Sequence, residues 1–205
     1  MSASVPRLIL ITDRHLCQSG PLSDVIAAAL AGGVLAVQLR EKDLPASQLF
    51  ELARELRAMV GDRALLLIND RVDVAIAASA HGIHLPGAGL PVAAARKIVG
   101  PDFLIGRSVH SIEEAAVAAA DGADYVQVGP IFATQSKPGA VGAGLDLVRR
   151  VKETTSTAVI AVGGVNAGNV RSVLQAGADG VAVISAIIAA KDPAQATRDL
   201  VANMS

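Results

Sequence analysis

The feature that most constrains this chain is a regular alternation of short apolar runs with longer amphipathic segments. Eight runs rich in β-branched residues are each followed by an Ala-rich segment with helical periodicity. Runs that are apolar throughout are typical of strands buried on both faces, as in a parallel sheet. The predicted strands are Arg7–Thr12, Val34–Arg40, Ala64–Asn69, Gly82–Pro86, Phe103–Val109, Tyr125–Pro130, Ala158–Gly164 and Gly180–Ser185. The predicted helices are Leu22–Ala31, Ala46–Val60, Arg71–Ser79, Pro91–Val99, Ile112–Ala120, Leu145–Thr154, Ala167–Ala176 and a last segment from Ala186 towards Asn203.

Eight strand–helix units in 205 residues favour a single-domain α/β protein, a (β/α)8 TIM barrel spanning 1–205. The alternative is an open, doubly wound sheet, which carries a Gly-rich fingerprint after its first strand. Here the first run ends Ile11-Thr12-Asp13-Arg14, without that fingerprint, so the barrel is favoured.

Internal repeats precede the second, fourth, sixth and eighth runs. We interpret each as a helix end followed by entry into a buried strand. The similar segments are Ala31–Gln38, Ser79–His84, Asp121–Val128 and Ala176–Val183.

Composition excludes several classes of protein. Lys plus Arg is 18 and Asp plus Glu is 19, so the basic excess expected of a protein that coats nucleic acid or anionic membrane is missing. Aromatic residues are 2%, too few for stacking on single strands. With one cysteine, Cys17, no intramolecular disulfide can form, and no run resembles a signal peptide or a bilayer span. We therefore expect a cytoplasmic protein without nucleic-acid or membrane partners.

In a barrel, the active site is built from residues at the carboxyl ends of the strands. At the end of the second run, alternation places Gln38, Arg40 and Lys42 on one face, which predicts an anion site rather than a solvated charge run. The third run ends at Asn69 and Asp70. Asp70 is a candidate for contact with a metal or ligand, and its alternative role as a helix N-cap does not exclude metal binding.

Two histidines belong to the same predicted rim. His84 in the fourth run is either a structural hydrogen-bonding group or a ligand contact. Ser108 and His110 share a face at the end of the fifth run, and the ordinary pKa of histidine suits His110 for proton transfer. Capping or packing is the alternative role for His110. Ser111 with Glu114 forms a capping-box pattern.

Two further segments predict phosphate contacts. The long Gly- and Pro-containing segment Ile131–Gly144 carries Thr134, Ser136 and Lys137, which suit a closing grip on phosphate or diphosphate. The seventh and eighth runs end in a backbone cup of the kind that binds phosphate in such barrels. The residues of this cup are Gly163, Gly164, Ile184 and Ser185. Together with the basic cluster, the cup indicates an enzyme acting on a phosphorylated small molecule, with a second phosphorylated partner.

Several motifs in the same order resemble the thiamine phosphate synthase family, which includes the thiazole tautomerase TenI. The similarity covers nearly the whole chain. The matching motifs are Ile11–Asp13, Val37–Lys42, Ile68–Asp73, Gly106–Ser111, Gly129–Lys137, Gly163–Gly164 and Ile184–Ser185.

The resemblance implies a TIM barrel, often a homodimer, and two chemistries. In a synthase, a pyrimidine diphosphate loses pyrophosphate with Mg²⁺ assistance, and the nitrogen of a thiazole phosphate captures the pyrimidine. The resemblance assigns Gln38, Arg40, Lys42 and Asn69 to the diphosphate, Asp70 to Mg²⁺, Ser108, Thr134, Ser136 and Lys137 to further substrate contacts, and Gly163, Gly164 and Ser185 to the thiazole phosphate.

One departure from the synthase pattern sets our preference. The second Mg²⁺-binding Asp of that pattern falls five residues after His84, where this chain has Gly89. We therefore favour a TenI-like tautomerase that needs no cofactor, with His110 moving the proton. The first alternative is the Mg²⁺-dependent synthase, and the second is a non-catalytic regulator that binds thiazole phosphate.

Overall fold

Eight parallel strands close into a barrel in chain order, each joined to the next through a helical segment. The computed structural model describes residues 5–134 and 141–204. The strands are β1 Leu8–Ile11, β2 Ala36–Leu39, β3 Leu65–Asn69, β4 Gly82–Leu85, β5 Leu104–Val109, β6 Tyr125–Val128, β7 Ala158–Val162 and β8 Gly180–Val183. The helices are α1 Leu22–Gly32, α2 Ala46–Val60, α3 Val72–Ala77, α4 Val92–Val99, α5 Ile112–Ala120, α6 Gly144–Thr154, α7 Val170–Gln175, α8 Ser185–Ile188 and α9 Pro193–Asn203.

Closure of the sheet distinguishes the predicted barrel from the open, doubly wound sheet. β1 pairs in parallel with β2 through Ile9 and Ala36, and with β8 through Leu10 and Val183. A first strand bonded to the last leaves no sheet edge, so the predicted TIM barrel is confirmed and the open sheet is excluded. Every observed strand lies within its predicted bounds.

The last predicted helix is wrong as one element, because the chain folds it as α8 and α9. The break has a local cause: the side chain of Asp192 accepts a hydrogen bond from the Gln195 N–H, and Pro193 occupies the first turn of α9. A side-chain acceptor followed by proline favours the start of a new helix. In the described ranges, no helix is long and apolar enough to cross a membrane.

The inside of the barrel is filled by side chains. Ile9, Leu67 and Ile160 pack there with Tyr125, which is fully buried. A Cβ atom at Gly106 would lie 2.0 Å from Cζ of Tyr125, so only glycine on β5 leaves room for that ring. A second apolar layer lies between the strands and the helices.

At the amino-terminal end of the barrel, the same backbone–side-chain clamp occurs three times. Asp124, just before β6, donates its N–H to the Ile105 carbonyl at 2.8 Å, and its carboxylate accepts the Ile105 N–H at 2.7 Å. Asp179 makes the same pair with Val159 before β8. His81 makes it with Leu66 before β4, with its Nδ1 atom as the acceptor at 2.8 Å.

These clamps give the predicted repeats a physical meaning. Each acceptor occupies the same place in its repeat, directly before an even-numbered strand, and binds the second residue of the preceding odd-numbered strand. Arg96 on α4 pairs with Asp124, and Lys152 on α6 pairs with Asp179, both at 2.7 Å. Three of the four repeats therefore fix adjacent strands to each other at the end of the barrel opposite the predicted site.

Candidate functional site

A cavity of about 470 Å³ opens at the carboxyl ends of the strands, where the sequence predicted a site. Asp70 is outside its lining, and Ser136 and Lys137 lie outside the described residues. The separate strand ends therefore share one cavity, as the sequence argument requires. The predicted residues that line it are Gln38, Arg40, Lys42, Asn69, Ser108, His110, Thr134, Gly163, Gly164, Ile184 and Ser185.

A buried carboxylate, directed away from the cavity, fixes the backbone that carries the two basic residues of the cavity. Arg40 and Lys42 line the cavity, whereas the side chain of Glu41 between them is only 2% exposed. The Glu41 carboxylate accepts hydrogen bonds from the backbone N–H of Arg14 at 3.1 Å and from its guanidinium at 3.0 Å. The Arg40 N–H donates to Oγ1 of Thr12 at 2.9 Å. These contacts fix the segment that directs both cations inward.

The same arginine continues this network at the surface. The Arg14 guanidinium donates to both oxygens of Asp43, at 2.7 and 2.5 Å. These hydrogen bonds hold the pKa of the Asp43 carboxyl well below its usual range, so Asp43 is ionised at neutral pH. His15 also contacts Asp43, at 3.2 Å. The network thus joins the segment after β1 to the segment after β2.

A chain of three amides crosses the floor of the cavity. Nε2 of Gln127 donates to Oε1 of Gln38 at 2.7 Å, and Nε2 of Gln38 donates to Oδ1 of Asn69 at 3.2 Å. Because the Asn69 oxygen is used as an acceptor, its amide nitrogen remains as a donor. Gln127 was missed from the sequence because it lies inside an apolar run. Only closure of the barrel places it beside Gln38.

His84 is a structural hydrogen-bonding group, the first of the two roles that the sequence left open, and contact with a ligand stays a prediction. It lines the cavity, and its ring bonds to two hydroxyls: Nδ1 to Tyr125 at 3.3 Å and Nε2 to Ser108 at 2.8 Å. Burial lowers the pKa of His84 to about 3, with Arg107 and Arg40 contributing, so the imidazole is neutral. Burial also raises the pKa of Tyr125.

His110 is oriented by a backbone carbonyl. Its Nδ1 atom lies 2.5 Å from the Gly129 oxygen, which can only accept, so Nδ1 carries the hydrogen and Nε2 of the neutral ring is a base. One of the two hydrogen bonds of the predicted capping box is confirmed, since Oγ of Ser111 accepts the Glu114 N–H at 3.2 Å. The second hydrogen bond differs, because the Glu114 carboxylate accepts the N–H of His110, at 2.6 Å, in place of the N–H of Ser111.

The predicted phosphate cup lies where β7 and β8 end. Gly163 and Gly164 have φ values of 96° and 67°, in the left-handed region that favours glycine. A Cβ atom on Gly163 would also come within 2.6 Å of Pro130, so this glycine serves packing as well. α8 begins at Ser185, and the first N–H groups of a helix have no partner within the helix.

The predicted metal residue Asp70 lies beside Gly89, outside the cavity lining. The alternative role of Asp70 as a helix N-cap is excluded, because the N-cap of α3 is Arg71, and no side chain makes the capping bond. Asp70 is exposed, and a Cβ atom on Gly89 would lie 2.8 Å from its Oδ1. Within 5–134 and 141–204, no three His, Cys, Asp or Glu side chains cluster to hold a metal. These donors fit Mg²⁺ that is bound mainly by substrate phosphates, with one protein carboxylate.

A family model, two curated relatives and one solved structure identify the family to which this chain is similar. The family model described as thiamine monophosphate synthase matches residues 8–187. The thiamine-phosphate synthase of Chloroflexus aurantiacus is 45% identical, over 97% of this chain and 93% of its own. That of Methanoculleus marisnigri is 46% identical, over 94% and 92%. The solved thiamine phosphate pyrophosphorylase from Pyrococcus furiosus superposes with a TM-score of 0.89 at 39% identity, covering 97% of this chain and 95% of that one. These names favour the synthase alternative over the tautomerase.

Proposed function

Because this chain belongs to the thiamine monophosphate synthase family, we propose that it is a thiamine-phosphate synthase. The proposed reaction breaks the bond between the methylene carbon of a pyrimidine diphosphate and its leaving oxygen. The nitrogen of a thiazole phosphate then bonds to that carbon, and pyrophosphate leaves. One observation carries the proposal: a single cavity is lined by the cations after β2 and by the residues of the predicted phosphate cup after β7 and β8.

The cations after β2 suit the more highly charged substrate. Arg40 and Lys42 would hold the diphosphate, and the amide nitrogen of Asn69 would donate to it. Thr134, Ser136 and Lys137 would complete this grip. Charged donors that strengthen their bonds as the diphosphate leaves would lower the barrier to bond cleavage.

The cup formed by Gly163, Gly164, Ile184 and Ser185 would hold the thiazole phosphate. With its phosphate fixed there, the thiazole would share the cavity with the pyrimidine carbon that it must reach. Mg²⁺, held by Asp70 and the diphosphate, would neutralise charge on the leaving group.

A second candidate is the tautomerase that the sequence favoured. The observation in its favour is the fixed orientation of His110, whose Nε2 atom is available as a base at the cavity. In that reaction, His110 would remove a proton from the thiazole carboxylate phosphate and return it at another atom.

One paired assay distinguishes the candidates. The same preparation is given pyrimidine diphosphate with thiazole phosphate and Mg²⁺, and separately the thiazole carboxylate phosphate tautomer. Release of pyrophosphate with formation of thiamine phosphate supports the synthase, and isomerisation alone overturns it. Binding of thiazole phosphate without turnover would instead identify the regulator named above.

Two arginine variants test whether Arg40 binds the pyrimidine diphosphate. Arg40→Ala removes a charge-assisted hydrogen bond, so we expect about a tenfold or larger rise in KM for the pyrimidine diphosphate. Arg54→Ala is the matched control, because Arg54 is a 70% exposed arginine on α2 that pairs with Glu51. Equal KM values in the two variants would contradict the role of Arg40.

A further inference from the structure

The geometry points to a directed hydrogen-bond relay inside the barrel: we propose that Tyr125 and His84 are positioning residues that make the Ser108 hydroxyl a donor to the bound substrate. The inference rests on the proposed function only for the identity of that substrate. The relay connects three strands, from Tyr125 on β6 through His84 on β4 to Ser108 on β5.

The relay begins at a hydroxyl with one available acceptor. Tyr125 is completely buried, and among the hydrogen bonds of the described residues its hydroxyl contacts only Nδ1 of His84. A buried O–H group without an acceptor is strongly disfavoured. The tyrosine hydrogen therefore points to Nδ1, and Nδ1 carries no hydrogen of its own.

This assignment fixes the tautomer of His84. A neutral imidazole has one N–H, so when Nδ1 accepts, Nε2 must carry the hydrogen. Nε2 lies 2.8 Å from Oγ of Ser108 and therefore donates to it. The Ser108 oxygen is then an acceptor within the relay, and its own hydrogen is available to the cavity that Ser108 lines.

The direction of the relay decides what Ser108 offers a ligand. With the opposite tautomer, Ser108 would donate to His84 and present only lone pairs to the cavity. Lone pairs repel phosphate oxygens, whereas an O–H group binds them. The amide chain from Gln127 to Asn69 also begins on β6 and also ends in a donor at the cavity, so the two chains have the same polarity.

The first test reads the tautomer directly and needs no substrate. Long-range ¹H–¹⁵N correlation spectra of the wild-type protein, labelled with ¹⁵N in its four histidines, report which ring nitrogen carries hydrogen. His84→Gln identifies the His84 signal by its loss. We expect hydrogen on Nε2, and hydrogen on Nδ1 would overturn the relay.

The second test measures coupling to Ser108. We expect Ser108→Ala to raise KM for the pyrimidine diphosphate about tenfold, and His84→Met to do the same, because each removes the oriented donor. In the Ser108→Ala background, His84→Met should add little. Glutamine can place an N–H near the position of Nε2, so His84→Gln should restore KM to within about threefold of wild type. Independent, multiplying losses in the double variant would contradict the proposal.

The two tests separate the relay from the proposed function. An Nε2–H tautomer in a protein without synthase turnover would refute the function and leave the relay standing. An Nδ1–H tautomer in an active synthase would refute the relay alone.

Discussion

The substitution Gly89→Asp tests why this chain has one carboxylate where the synthase pattern has two. The Cβ atom of residue 89 would lie 2.8 Å from both Oδ1 of Asp70 and Cδ of Pro86, so these side chains must shift, and the two carboxylates would stand about 4 Å apart. Two unit charges at that distance repel by about 1 kcal/mol in water. Without metal, Gly89→Asp should therefore unfold about 2–4 °C lower than Gly89→Asn, which meets the same Pro86 contact without the added charge.

With Mg²⁺ bound, the added carboxylate of Gly89→Asp should stabilise the protein instead of destabilising it. Attraction between a divalent ion and one added carboxylate at about 4 Å is about 2 kcal/mol in water, or about 30-fold in affinity. Calorimetric titration of Mg²⁺ in the absence of substrate should show tighter binding to Gly89→Asp than to wild type, and Mg²⁺ should raise its melting temperature more.

Gly89→Asn is the matched control, with the same size and no charge. It should neither lower the melting temperature through repulsion nor bind Mg²⁺ more tightly. Equal Mg²⁺ affinity in the aspartate and asparagine variants would refute the reasoning that Asp70 and residue 89 face one metal position.

Three further predictions concern two groups that line the cavity, His84 and Gln127, and one behind it, Glu41. The pKa of His84 is about 3 in the folded protein against 6.5 for a free histidine, so the folded chain binds fewer protons between these values. The free energy of unfolding should therefore fall as pH drops from 6.5 towards 3, by up to about 1.4 kcal/mol per pH unit, and urea titrations of His84→Gln should lack this contribution. Glu41→Gln should lower the free energy of unfolding by about 2 kcal/mol and raise KM for the pyrimidine diphosphate, because the Arg14 contacts weaken. Asp43→Asn, at the exposed end of the same network, is its control, and an equal rise in KM there would count against the role of Glu41. Gln127→Leu leaves the Gln38 oxygen without its donor, so KM for the same substrate should rise about tenfold, and an unchanged KM would exclude the amide chain from binding.

Much of the fold was predictable because a parallel strand that is buried on both faces has an almost continuous run of apolar residues. All eight strands were located, and the strand ends that carry Arg40, His110 and Ser185 meet at one cavity as expected. The separation of α8 from α9 was missed although its local signals, Asp192 and Pro193, are readable in the sequence.

The polar interior was not predictable, for a different reason. Tyr125 and Gln127 occur in an apolar run, and nothing nearby in sequence marks either as a hydrogen-bonding residue. Their partners, His84 and Gln38, are 41 and 89 residues away in the chain. The space for Tyr125 exists because Gly106 has no side chain, and this fit appears only once β5 lies beside β6.

The three clamps at the base also determine alignment at the far rim. Sliding β6 by one residue against β5 would put Ala123 or Tyr125 in place of Asp124, and neither can accept the Ile105 N–H as the carboxylate does. The same ladder, followed upward, sets Ser108 opposite Gln127. The clamp at His81 likewise governs the ladder that sets Asn69 opposite His84. The spacing of the groups that would meet a substrate is thus set by hydrogen bonds at the end of the barrel opposite the cavity.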